Sequence, residues 1–132
     1  MKVYELQHIC PGEVKTLGFF SSVKKRDDAI EKYRKLEGFK DYPLSFITFE
    51  RNMYDGKAVH LVQVFVHSEE QGFEYSRSIG VYARESDAEN AAQNFIDRNR
   101  GSLEDEELTV ELGIDTYKLD EMQYKEGFSA AE

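Results

Sequence analysis

LGFFSSVKKRDDAIEKY, residues 17–33, lies without gaps over IGVYARESDAENAAQNF, residues 79–95, and this match decides how the 132-residue chain is read. Leu17 falls on Ile79, Gly18 on Gly80, Phe19 and Phe20 on Val81 and Tyr82, Ala29 on Ala91, and Tyr33 on Phe95. Internal self-similarity of this kind points to one supersecondary unit used twice. Upstream, VYELQH lies over VQVFVH, which pairs Val3 with Val62, Leu6 with Phe65 and His8 with His67. Downstream, Phe49 and Glu50 lie over Leu119 and Asp120, and Tyr54 over Tyr124, with small insertions.

Each copy reads as strand, strand, helix, strand. Residues 2–9 alternate polar with apolar, and the turn Cys10-Pro11-Gly12 leads into a second strand at 13–20, the pattern of a hairpin. Strand alternation places Leu17 and Phe19 on one face and Phe20 on the other. A helix is predicted over 23–37, with Ser22 as its N-cap and Gly38 as its stop. Ala29, Ile30, Tyr33 and Leu36 form its apolar stripe, while Lys32, Arg34 and Lys35 lie opposite. Residues 45–51 make the third strand, and 52–57, with the turn pair Asp55-Gly56, separate the copies.

In the second copy, residues 59–67 are apolar on both faces, residues 73–82 form the next strand, and Ser86 to Glu89 read as a capping box opening a helix that stops near Gly101. A short strand at 108–112 and a last strand at 115–121 follow, and residues 128–132 are expected to fray. The expected fold is α+β: two diverged ββαβ repeats, at 1–55 and 59–128, giving antiparallel sheet with both helices packed on one face of a single domain.

Composition narrows the functional classes. Hydrophobic residues make up 40% and charged residues 33%, which is a globular balance. No stretch approaches the ~20 apolar residues of a membrane span, and the N-terminus lacks a signal-peptide core, so a soluble, cytoplasmic protein is expected. With Cys10 as the single cysteine, no intramolecular disulfide can form. Seventeen Lys and Arg face 26 Asp and Glu, and the net charge of -9 opposes nucleic acid and anionic membranes. The basic run Lys24, Lys25, Arg26 is followed at once by Asp27 and Asp28.

The order of elements resembles a family of small uncharacterised bacterial proteins, a domain-of-unknown-function family in which a strand pair ends in a Ser-rich helix start. The residues carrying the resemblance are FFSS at 19–22, GFKDYP at 38–43 and DTYKLDEMQYKEGF at 115–128. GFKDYP is kept only in the first copy and the EGF ending only in the second. The resemblance implies a fold and supplies no activity.

Candidate chemistry is sparse. His8 and His67, at matching places in the alignment, and Cys10 are weak metal candidates, because a zinc site wants three or four ligands at recognisable spacing. Cys10 and His8 share a strand face as a nucleophile pair would, yet no oxyanion donor or orienting group accompanies them. No catalytic residue, metal or cofactor is expected. The acidic run Glu104, Asp105, Glu106, Glu107 breaks the symmetry of the copies and is the candidate docking surface for a basic protein. Phe20 and Tyr82 are the matching aromatic candidates for a bare sheet face, which a partner or a second copy in a homodimer would cover. The expected function is a non-enzymatic, acidic protein-interaction module, exemplified by a bacterial immunity or inhibitor protein. The alternative is a small-molecule-binding or sensing domain using the cleft between the repeats.

Overall fold

The computed structural model of the chain describes residues 1–70, 72–99 and 109–128. They form an α+β protein with two helices and two three-stranded antiparallel sheets. The chain divides into two units, one of Met1–Met53 with Tyr117–Glu132, the other of Tyr54–Thr116. The strands thus belong to two sheets, where the sequence predicts antiparallel sheet without saying how many.

In the first unit, β1 (Lys2–Cys10) and β2 (Glu13–Phe20) make a hairpin, and β3 (Phe46–Asn52) pairs with the other side of β1. The hairpin turn is Pro11-Gly12, with Gly12 at φ +80°; proline followed by a glycine of positive φ is the chemistry of a type II turn. Strand β2 carries a bulge. Leu6 lies opposite Gly18 while the next residue, Gln7, lies opposite Thr16, so Leu17 is the extra residue.

The bulge reverses the inside-outside phase of β2, and this corrects the reading of Phe20. Leu17 and Phe20 both join the helix-side core with Leu6, Ala29, Tyr33 and Phe39, and Phe20 is buried. Phe19 takes the opposite face with Glu5, its register partner, and packs on Tyr117 with ring centroids 5.1 Å apart. The ring of Phe20 folds back over Gly18, where an added Cβ would stand 3.3 Å from it.

Helix α1 (Val23–Tyr33) begins at Ser22, whose Oγ accepts the Lys25 N–H at 3.1 Å. It ends at Tyr33, four residues short of the predicted boundary at 37. Lys35 and Leu36 N–H reach back three residues to Lys32 and Tyr33, a tightened turn that leads to Gly38 at φ +83°. A single 3-10 turn, Phe39–Asp41, then delivers Phe39 into the core.

The C-terminal segment from Tyr117 belongs with this unit. Asp120 N–H donates to the Phe19 carbonyl and Gln123 N–H to the Leu17 carbonyl, each at 2.8 Å, so the segment occupies the outer edge of β2. Phe128 N–H donates to the Glu37 carbonyl at 2.9 Å, next to Gly38. A Cβ on Gly38 would stand 2.5 Å from the Phe128 carbonyl oxygen, so the two backbones touch where only glycine fits. GFKDYP and the EGF ending, far apart in sequence, meet at this contact.

In the second sheet, β4 (Ala58–Ser68) is central, between β5 (Phe73–Tyr82) and β6 (Thr109–Lys118), and all but the last two residues of β6 belong to the second unit. The β4–β5 ladder has its own bulge: Val62 lies opposite Gly80 and Gln63 opposite Ser78. Helix α2 (Glu85–Arg98) packs on β4 and β5 and buries Ala88. Its N-cap is Arg84, with no side-chain cap bond, so Ser86 stands inside the first turn and the expected capping box does not form. Strand β6 is continuous from Thr109, where two separate strands were expected. Among the described residues, no helix is long and apolar enough to cross a membrane.

Candidate functional site

The hairpin end of the first sheet holds two features, one on each face. Residues directly opposite in an antiparallel ladder share a face, so the helix side carries His8 with Lys15, and Cys10 with Glu13. Lys15 is 4% exposed at its side chain, yet charged groups avoid burial unless paired. Its partner is Glu13, with Nζ and Oε2 2.7 Å apart. The ammonium also sits 3.9 Å above the Phe128 ring and 4.0 Å from the Cys10 Sγ.

His8 is fully buried among aromatic rings, with Phe46 and Phe39 at 4.8 and 4.9 Å between centroids. Its Nε2 lies 3.1 Å from the Tyr42 carbonyl oxygen, which can only accept, so Nε2 carries the proton. Nδ1 is then an acceptor, and it has no protein partner among the described residues. Burial pulls the imidazole below its ordinary value of 6.5; the bond to Tyr42 opposes this and the Lys15 charge adds to it. His8 is therefore held neutral.

The opposite face of the same strands is apolar and open. Val14 is 58% exposed, Phe49 41%, Ile9 38% and Ile47 37%. Val14 stands opposite Ile9, and Ile47 opposite Gln7, one step along the same face from Ile9. Phe49 follows Ile47 on β3, opposite Glu5. Glu5 itself is buried and held by Arg51, with Nη2 at 3.1 Å, and by Gln7, whose Nε2 donates at 2.6 Å. Farther along this face, Val3 and Phe19 are fully buried.

The residues singled out in the sequence are dispersed. His8 and Cys10 are neighbours on one face of β1, and Cys10 is a half-buried free thiol. His67 belongs to the second unit, on β4 opposite Glu74. His8 lies two residues past Leu6, which stands opposite Gly18, whereas His67 lies five residues past Val62, which stands opposite Gly80, so the two histidines sit at different distances from their bulges. No group of three or more His, Cys, Asp or Glu side chains is placed to hold a metal ion among the described residues.

Phe20 is in the core and not on a bare face. Tyr82 is half-buried, its ring lying against Gly80. Glu104, Asp105, Glu106 and Glu107 lie outside the described residues. Lys15, Glu13 and the open-face residues were not singled out from sequence. The signal that finds them is the hairpin register: a two-residue turn between Cys10 and Glu13 sets His8 opposite Lys15 and Ile9 opposite Val14.

These residues define the class: a two-unit α+β protein with an open apolar sheet face and a Cys–Lys–Glu cluster beside a buried histidine. A scan against protein-family models, a search of the curated proteins and a search of the solved structures found no match.

Proposed function

We propose that the chain is a non-enzymatic protein-interaction module, of the kind represented by a bacterial immunity or inhibitor protein, acting in the cytoplasm. The observation that carries this reading is the open face of the first sheet, where Ile9, Val14, Ile47 and Phe49 are all more than a third exposed on adjoining positions. Contiguous exposed apolar groups of this kind mark interaction surfaces. The net charge of -9 selects a basic partner, with Glu104, Asp105, Glu106 and Glu107 as the segment that steers it.

Residues 1–55 and 59–128 are read as diverged copies of one ββαβ element with their helices on one face. The support is a shared device: each hairpin carries a bulge one residue before a glycine, and the aromatic ring two residues later folds over that glycine.

The test is capture from native lysate with the 132-residue chain, comparing wild type, Phe49→Asp and a variant with the four acidic residues at 104–107 reversed. A stoichiometric basic protein retained by wild type and lost from both variants is the expected result. Absence of any such partner, or retention by both variants, overturns the reading. A chain that sediments as a dimer, and as a monomer when Phe49→Asp is made, replaces the foreign partner with a second copy.

A further inference from the structure

The hairpin cluster has a chemistry that docking does not use. Cys10 Sγ lies 4.0 Å from the Lys15 Nζ, and the same Nζ is 2.7 Å from the Glu13 carboxylate. The lysine side chain is 4% exposed and pinned over Phe128, so it is not free to swing into solvent. His8, fully buried with Nδ1 unpartnered, stands on the same face, opposite Lys15 and two residues from Cys10. Cys10 and Glu13 thus meet at Lys15 at one end of a hairpin, on the face that also carries His8. The thiol among them is half-buried, and with no second cysteine in the chain it has no intramolecular disulfide partner.

We infer that Cys10 and Lys15 form a modification site, at which peroxide drives a reversible sulfur–nitrogen cross-link across the hairpin. The Cys10 sulfur attacks one oxygen of hydrogen peroxide, the O–O bond breaks, and a sulfenic acid and water result; sulfur is oxidised by two electrons and the peroxide is reduced. Sulfenic acids condense with a thiol, or with a backbone nitrogen to give a sulfenamide, and a neutral amine is a stronger nucleophile than an amide nitrogen. The nitrogen in place here is Lys15, which gives its ammonium proton to the adjacent Glu13 carboxylate. Its lone pair attacks the Cys10 sulfur, the S–O bond breaks, and the hydroxide leaves as water with the second amine proton. The second step is a condensation without further oxidation. In total the protein loses two hydrogen atoms and the peroxide becomes two waters. A thiol reductant restores Cys10 and Lys15 by attacking the sulfur.

The neighbouring geometry explains why the lysine intercepts the acid. Holding a nucleophile within a few ångströms of the electrophile makes the second step intramolecular, and well-oriented intramolecular steps gain effective molarities on the order of 10⁵ M or more. The cross-link closes a ring around the Pro11-Gly12 turn. It stiffens the end of the sheet whose other face is the open surface of Ile9 and Val14.

The experiment exposes the 132-residue chain to hydrogen peroxide and follows intact mass without reductant. Wild type is expected to lose the mass of two hydrogen atoms, to regain it with dithiothreitol, and to yield a joined peptide containing Cys10 and Lys15. Lys15→Arg, which keeps the charge over Phe128, is expected to show no such loss and to accumulate a sulfenic acid trapped by dimedone. Glu13→Gln should slow the loss, and Cys10→Ser should abolish all change. Wild type that only gains oxygen, that dimerises through Cys10, or that is trapped by dimedone as fully as Lys15→Arg overturns the proposal. A two-hydrogen loss that persists in Lys15→Arg overturns the assignment of the nitrogen.

Discussion

Tyr33 is fully buried, and its hydroxyl reaches two backbone carbonyls, Leu17 on β2 at 3.1 Å and Gln123 in the C-terminal segment. Sequence periodicity placed Tyr33 on the inner stripe of α1 but gave no reason for a hydroxyl there. Tyr33→Phe keeps the ring and strips the shared proton from two carbonyls, a loss of about 1–3 kcal/mol by the usual cost of unsatisfied buried groups. Urea unfolding should show a lower midpoint at unchanged slope. His8 predicts a pH dependence. Its folded value lies below the ordinary 6.5, so below 6.5 the unfolded chain binds a proton that the folded chain refuses. Stability is therefore expected to fall as pH drops from 6.5 toward the lower folded value. His8→Gln, which still donates to Tyr42, should flatten that window. Asp120 acts in a separate, more acidic window. Burial alone would raise its pKa, but the Ser21 N–H and hydroxyl and the Lys25 ammonium together hold it below 3.8. Its contribution is present above 3.8 and lost as pH falls further, and Asp120→Asn should remove this second step in an acid titration followed by circular dichroism.

Elements were legible where one local signal decided them and illegible where two competed. The Cys10-Pro11-Gly12 turn fixed the first hairpin, and the spacing of Ala29 and Tyr33 fixed the inner face of α1. Strand alternation failed at Leu17-Gly18, because a bulge adds one residue and every side chain after it changes face; Phe20 went to the core for that reason. A strand glycine is the sign of such a bulge, but it does not say which neighbour is doubled. The Ser86 to Glu89 motif failed because the helix opens one residue before Ser86, at Glu85. Glycines also separate conformational cost from crowding. Gly12 and Gly38 both have positive φ, but a Cβ on Gly12 meets open space whereas one on Gly38 meets the Phe128 backbone and ring. Gly12→Ala is expected to cost about 1–2 kcal/mol, the left-handed penalty alone. Gly38→Ala adds the displacement of the C-terminal segment, so its cost should exceed that of Gly12→Ala by about 1–3 kcal/mol. Paired denaturation curves give the difference directly.

At the scale of the whole molecule, the first unit is assembled from both ends of the chain, and this was the least legible feature of all. DTYKLDEMQYKEGF reads from sequence as a last strand of the second copy; its hydrogen bonds to Leu17, Phe19 and Glu37 join residues about a hundred positions apart, which no local periodicity encodes. The segment caps the outer edge of β2, contributes Met122 and Phe128 to the core, and holds Ser21 and Lys25 through Asp120. Removing residues 119–132 leaves β6 intact to Lys118 but exposes the β2 edge, unpairs the Tyr33 hydroxyl from Gln123 and opens the core beside Phe39. Protection from hydrogen exchange is expected to fall in β1, β2 and α1 while the β4–β5 ladder keeps most of its own, because that ladder lies wholly within the other unit. The bared edge should also make the truncated chain associate at concentrations where the full chain does not. Equal loss of protection in β4 and β5 would mean that the two units fold as one cooperative block, and the segment would then support the whole chain and not the first unit alone.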